Sequence, residues 1–160
     1  MNNYIYELLQ APIPVSEWTV SWEYHEHPDA FPIADTVEVA EDRSDVITRF
    51  GAWLEENRLG KLDGETFTID AQAADRYFES RFAAFQQAVT ALQQLNEVQF
   101  IHEHDQTQNL IFDLTETFTQ KYDDYVLWNG DLVPIPLEEF LRKAQPGVQY
   151  CIGAVLTYKH

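Results

Sequence analysis

Alternating polar and apolar positions predict a β-strand at Glu17–Tyr24, near the start of the chain. Its apolar positions are Trp, Val or Tyr, and they alternate with Glu, Thr and Ser. Successive side chains of a strand point to opposite faces, so the pattern indicates a half-buried strand with one aromatic face. Weaker patterns of the same kind predict strands at 36–40, 65–69, 98–103, 110–118 and 149–158.

The segment 110–118 fits two structures. Its alternating leucine and phenylalanine positions and its threonines favour a strand. Leu110, Leu114 and Phe118 also fit the four-residue spacing of a helix. We predict a strand and keep the helix as the alternative.

Apolar stripes at helical spacing predict three helices, at about 43–58, 71–95 and 137–144. Asp70 is placed to cap the second helix and Gly60 to end the first. The stripe of the long helix is interpreted as plain core and consists of Ala74, Phe78, Phe82, Phe85, Val89 and Leu92.

Proline and glycine positions predict the turns of the chain. Tyr4–Gln10 is predicted to be a short helical turn, because Pro12 and Pro14 follow it. Asn129-Gly130, between two apolar runs, predicts a two-residue type I′ hairpin. Pro134 lacks an amide hydrogen, so the second hairpin strand should lie at a sheet edge or stop there.

The order of these elements predicts an α+β fold with an antiparallel or mixed sheet. Adjacent strands follow one another along the chain, which argues against a doubly wound parallel sheet. No linker rich in Gly, Ser or Pro divides the sequence. We therefore expect residues 1–160 to form a single compact domain.

The charge of the chain is strongly negative, with 27 acidic and 10 basic residues and a net charge of −17. Such a charge repels phosphate, and no basic cluster offsets it, so direct binding to nucleic acid or to an anionic membrane is not expected. Averaged over the surface, the charge is about four times less dense than that of B-form DNA, so mimicry of DNA would require clustering.

Acidic residues do cluster in the first 45 positions, which hold ten acids and one base, Arg43. With the aromatic content, this predicts a surface that binds a basic partner protein. Trp128, beside the predicted hairpin turn, is the tryptophan we expect to be most exposed. The residues predicted to form the binding surface are Glu17, Glu23, Glu26, Asp29, Asp35, Glu38, Glu41, Asp42 and Trp128.

Two identical His-Glu-His tripeptides support an alternative function. Both are predicted to follow strands, where residues two apart share a face. If the two strand ends were neighbours, four imidazoles would meet and could bind zinc or another divalent first-row ion, with hydrolysis as the chemistry. The four candidate metal ligands are His25, His27, His102 and His104.

No other catalytic motif is present. The chain lacks a Gly-rich phosphate loop, a nucleophile elbow and an H-E-x-x-H sequence. Its single cysteine, Cys151, lies in an apolar stretch and is expected to be a buried thiol. The cysteine content and the absence of a signal-like N-terminus favour the cytoplasm. We expect a non-enzymatic accessory protein without a cofactor.

Overall fold

The computed structural model describes residues 3–18, 36–131 and 133–159. Residue contacts divide the chain into two compact units, of which the first contains residues 1–74 and 122–160 and the second contains residues 75–121. We call them the sheet unit and the helical unit. That together they form a single domain stays a prediction.

Seven strands of the described chain form one mixed sheet. Their order is β3-β4-β7-β1-β5-β6, and β2 also pairs with β7. Only β1 and β5 pair in parallel; the other pairs are antiparallel. The strands are β1 (Asn3–Leu9), β2 (Thr36–Val39), β3 (Gly60–Asp63), β4 (Thr66–Ile69), β5 (Tyr125–Trp128), β6 (Ile135–Pro136) and β7 (Gln149–Lys159).

The described residues contain five α-helices besides the mixed sheet, which confirms the α+β class. The three predicted helices are present within about two residues of their expected bounds, and two further helices replace predicted strands. The helices are α1 (Arg43–Glu56), α2 (Ala73–Gln93), α3 (Glu97–His102), α4 (His104–Glu116) and α5 (Leu137–Lys143). None of the described helices is both long and apolar enough to cross a membrane.

The core of the sheet unit surrounds β7 and β1. One cluster combines Ile5, Leu127 and Leu156 with their neighbours, and Trp18 and Tyr125 pack against it. A second cluster is aromatic, with ring centroids 4.6–6.2 Å apart, and includes Tyr6, Phe50, Phe67, Phe140 and Tyr150. Such pairs add roughly 0.5–1.5 kcal/mol each beyond the area that they bury.

The prediction of a helical turn at Tyr4–Gln10 is wrong, because these residues belong largely to strand β1. This strand lies between β7 and β5 and is buried from Ile5 to Leu9. A strand covered on both faces is apolar almost throughout and shows no alternation. Pro12 and Pro14 therefore follow a strand rather than a helix.

The predictions of strands at 98–103 and 110–118 are also wrong. Asn96 begins α3 with a capping box, in which its side chain accepts from Gln99 N–H at 2.9 Å and Gln99 Oε1 accepts from Asn96 N–H. Thr115, one of the threonines that favoured a strand, is accommodated in α4, where its hydroxyl donates to the Ile111 carbonyl four residues earlier. The helix that we kept as the alternative for 110–118 is the structure found for residues 110–116.

Antiparallel pairing of the segments on either side of Asn129-Gly130 is confirmed, but the predicted two-residue type I′ turn is wrong. Tyr125 pairs with Pro136 and Val126 with Ile135, so eight residues separate the paired positions. Of Asn129 and Gly130, both described, only Gly130 has a positive φ, of +90°, whereas a type I′ turn needs both. The amide of Asp131 donates to the carbonyl of Trp128 at 2.9 Å, which closes the turn. Strand β6, next to Pro134, lies at the edge of the sheet as predicted.

Gly60 does not cap α1; it is the first residue of β3. Asn57 ends the helix, and Arg58 takes the left-handed conformation with φ +55°. A Cβ built on Gly60 would lie 1.9 Å from the carbonyl oxygen of Thr68 on the paired strand. Glycine is required here because the neighbouring backbone leaves no space for a side chain.

The interpretation of the α2 stripe as plain core is wrong for part of it. Phe82 is 58% exposed. Phe78, Phe85, Val89 and Leu92 are only half-buried. A stripe of core residues would be almost wholly buried.

Candidate functional site

The described members of the predicted acidic surface are exposed. Glu17 belongs to a short 3-10 turn, Val15–Glu17, Glu38 lies on β2, and Glu41 and Asp42 precede α1. Asp42 forms an ion pair with Arg49 at 3.1 Å. We call Glu17, Glu38 and Glu41 the acidic surface.

Arg43, at the start of α1, contacts the segment that contains Glu17 and Trp18. Its guanidinium lies 4.4 Å from the centre of the Trp18 ring and forms an ion pair with Glu65. It also donates to the carbonyls of Ile152 and Gly153 on β7, both at 2.9 Å. The only base among the first 45 residues thus joins the segment of Glu17 to the start of α1.

The structure also brings Glu17 next to the hairpin turn. The side-chain amide of Asn129 donates to the Glu17 carbonyl at 3.3 Å. The neighbouring Trp128 is half-buried, with its ring 5.8 Å from Tyr150 and 6.1 Å from Phe140. Trp128 is therefore less exposed than the sequence suggested, because it completes the aromatic cluster.

Several predicted site residues lie outside the described residues: Glu23, Glu26, Asp29, Asp35, His25 and His27. The predicted strand at Glu17–Tyr24 also lies outside them beyond Trp18. Their contribution to either predicted site stays a prediction.

The second His-Glu-His tripeptide has a different setting from the one predicted. His102 ends α3 and His104 begins α4, and both side chains are exposed. The strand geometry that would place both imidazoles on one face is therefore absent at this tripeptide. Within the described ranges no group of three or more His, Cys, Asp or Glu side chains could hold a metal ion.

A buried carboxylate, which the sequence analysis did not single out, lies at the centre of the sheet. Glu7 is 1% exposed on β1, at a register shift opposite β7. Its Oε2 accepts from the amide of Ala154 at 2.9 Å, and its Oε1 accepts from Asn129 Nδ2 at 2.8 Å. The carboxylate occupies the space over Gly153, where an added Cβ would lie 2.6 Å from Oε2. Glu7 therefore joins β1, β7 and the hairpin turn.

A second acidic group, Asp124, lies before β5. Its Oδ1 accepts from the Tyr4 amide at 2.9 Å, and its carboxylate also accepts from the Tyr6 hydroxyl. Burial raises the pKa of Asp124, while these two hydrogen bonds oppose that shift. Burial, with a smaller effect of Asp124, likewise raises the pKa of Tyr6. Nearby Arg49 donates to the Tyr4 hydroxyl at 3.0 Å.

We expect Asp124→Asn to remove a pH-dependent contribution to stability. Because the pKa of Asp124 is higher in the folded protein, its contribution to the free energy of unfolding is greatest below about pH 4 and falls as the pH rises. Asn can still accept from the Tyr4 amide. Urea unfolding from pH 4 to pH 7 should show the wild type losing stability relative to the variant. A difference that stays constant with pH would contradict this origin.

Cys151 is a buried thiol, as predicted, and its Sγ lies 3.7 Å from the Thr66 hydroxyl. The structure shows no base bonded to it among the described contacts.

The helical unit has an exposed apolar surface. Residues 75–121, all of them described, contain only two buried side chains, Ala88 and Thr107. Of the ten large hydrophobic residues that the described chain exposes, seven belong to this unit. We call these seven the helical surface: Phe82, Val98, Phe100, Ile101, Ile111, Phe112 and Phe118.

Within the helical unit, α2 lies beside the end of α4. The Phe85 ring is 5.5 Å from Phe118 in an edge-on contact and 6.4 Å from Phe82. An open groove of about 520 Å³ runs beside this contact. The groove is lined by two basic residues, Arg81 and Lys121, and by two acidic residues, Asp113 and Glu116.

Two signals in the sequence could have located features that were missed. A lone glutamate in the apolar run Ile5–Leu9 is typical of a buried, hydrogen-bonded acid. The spacing Asn96-x-x-Gln99 is a capping box. The exposure of α2 had no such signal, because a core stripe and an interface stripe have the same spacing.

Comparison with known proteins adds no functional assignment. No protein-family model matches the chain, no curated protein matches it, and no solved structure matches it.

Proposed function

We propose that this protein is a non-enzymatic module that binds other proteins. The observation that carries the proposal is the helical surface, which concentrates seven exposed large hydrophobic side chains in 47 residues. Contiguous apolar patches beyond a few hundred Å² are uncommon on soluble monomers and typically mark interaction sites. Aromatic residues such as these are enriched at the centres of interfaces.

The proposal includes a basic partner protein for the acidic surface. Glu17, Glu38 and Glu41 are exposed, and Arg43 and Asn129 hold the Glu17 segment near the start of α1 and the hairpin turn. Exposed carboxylates attract a positively charged surface and accelerate its association. The single cysteine agrees with an accessory protein of the cytoplasm, where thiols stay reduced.

We expect neutralisation of the acidic surface to weaken capture of a basic protein. The variant Glu17→Gln/Glu38→Gln/Glu41→Gln should slow association roughly tenfold at low ionic strength, because it removes charges that steer the partner. The measurement is affinity capture from a lysate of the source organism at low and high salt, followed by association kinetics with the captured protein.

A matched control removes three exposed acids elsewhere in the sheet unit: Glu55→Gln/Glu56→Gln/Asp63→Asn. The control should bind as the wild type does. Recovery of no basic protein by the wild type at low salt would count against this part of the proposal. Equal losses in the two variants would show that net charge, rather than this surface, controls binding.

A further inference from the structure

We infer that the helical surface binds a second copy of this chain, and that α2 forms the centre of the contact. This inference rests on the proposed function, because that proposal depends on the helical surface and the inference names the partner of this surface. Four observations support it: the spacing of the apolar residues in α2, the distribution of charge, the exposed area, and the arrangement of α2 and α4.

The apolar positions of α2 follow the spacing of a coiled coil. Phe78, Phe82, Phe85, Val89 and Leu92 are separated by four, three, four and three residues. This alternation places them in one seam that packs against another helix. All five lie in the described chain and none is buried, and Phe82 is 58% exposed. The seam thus lies along one side of α2, and its side chains are only partly buried.

The distribution of charge favours a second copy as the partner. Two molecules with a net charge of −17 repel each other over most of their surfaces. Residues 82–96, which include most of the seam, form a run of fifteen positions without a charged side chain. Here two copies can approach with the least repulsion, whereas a basic partner would be attracted to the acidic residues instead.

The exposed area is of the size that a dimer needs. The four phenylalanines of the helical surface are 58–68% exposed. At roughly 200 Å² for each side chain, they present about 500 Å² before the valine and isoleucines are counted. A stable interface buries roughly 800 Å² on each partner. In the proposed dimer these four side chains, which lie on α2, on α3, on α4 and just after α4, contribute about 500 Å² of that area.

The arrangement of α2 and α4 suits a closed, symmetric dimer. Phe85 of α2 contacts Phe118 after α4, so one side of the seam is covered from within the same chain. Phe82, the most exposed member of the seam, remains for a partner helix. Two such helix pairs, related by a two-fold axis, form a four-helix arrangement that buries both seams.

The test is sedimentation equilibrium of the full chain at low and high salt. We expect a monomer–dimer equilibrium whose association strengthens as salt is added, because screening reduces the repulsion between two acidic molecules. Phe82→Glu should weaken dimerisation at least about 30-fold, as expected for a central interface residue. Gln87→Glu, which adds the same charge at an exposed position of α2 outside the seam, should change it less than about threefold.

The outcomes separate this inference from the proposed function. A wild-type chain that stays monomeric at every concentration and salt would overturn the second copy as partner. The proposed function would still stand if that monomer captured a basic protein. Dimerisation that weakens with salt, or equal effects of Phe82→Glu and Gln87→Glu, would also overturn the inference. Circular dichroism of both variants checks that the helices are retained.

Discussion

Gly60→Ala is expected to lower the free energy of unfolding by at least about 3 kcal/mol. The added Cβ would lie 1.9 Å from the Thr68 carbonyl oxygen, which belongs to the backbone of the paired strand β4. A backbone atom held in a sheet cannot move aside as a side chain can, so the cost should reach the upper end of the range for overpacking. For a chain of this length the midpoint of thermal unfolding should fall by about 10 °C.

Gly64→Ala is the matched control for this substitution. Gly64 lies in the turn of the same hairpin, and a Cβ there would meet nothing within 4 Å, although its φ is +62°. The expected cost is about 1 kcal/mol, from the left-handed backbone alone. If the two variants unfold at the same temperature, close approach of the strands is not the reason for glycine at position 60.

Glu7→Gln is expected to destabilise the protein by about 2 kcal/mol, although it hardly changes the size of the side chain. The two carboxylate oxygens accept from two donors, the Ala154 amide and the Asn129 side-chain amide. Glutamine offers only one acceptor oxygen, so its own NH₂ group would face a donor. Chemical denaturation of the variant at neutral pH measures the loss.

A reciprocal exchange tests the same hydrogen bonds. Asn129→Asp alone would place two carboxylates in contact and should also destabilise the protein. In the double variant Glu7→Gln/Asn129→Asp, the introduced amide can donate to the introduced carboxylate and still accept from Ala154. The loss should therefore be recovered except for the part that comes from the hydrogen bond of Asn129 to the Glu17 carbonyl. We expect a coupling energy of about 1–3 kcal/mol. Losses that simply add would contradict the assigned contact between Glu7 and Asn129.

The candidate surfaces were predictable to different degrees. The excess of acid in the first 45 residues is a property of composition, and the exposure of Glu17, Glu38 and Glu41 followed from it. Their relation to the hairpin turn was not predictable. It depends on Arg43 and Asn129, which contact residues 25 to 112 positions away in the chain. Such contacts have no local pattern.

The sequence by itself determined the helices whose periodicity and end residues agree. It predicted α1, α2 and α5 within about two residues, and it placed β7 correctly. It also predicted that the segments on either side of Asn129-Gly130 pair in antiparallel, although not the length of the loop between them. In these segments local preference and tertiary packing favour the same structure, so the local pattern was sufficient.

Tertiary structure decided the segments whose local pattern is ambiguous. Residues 3–9 became a strand because β7 and β5 bond to its two edges, and Glu7 could be buried there only because Ala154 and Asn129 supply donors. Tertiary structure also decided that the α2 seam is left partly exposed. Periodicity specifies which residues share a face, whereas the neighbouring elements decide whether that face is covered.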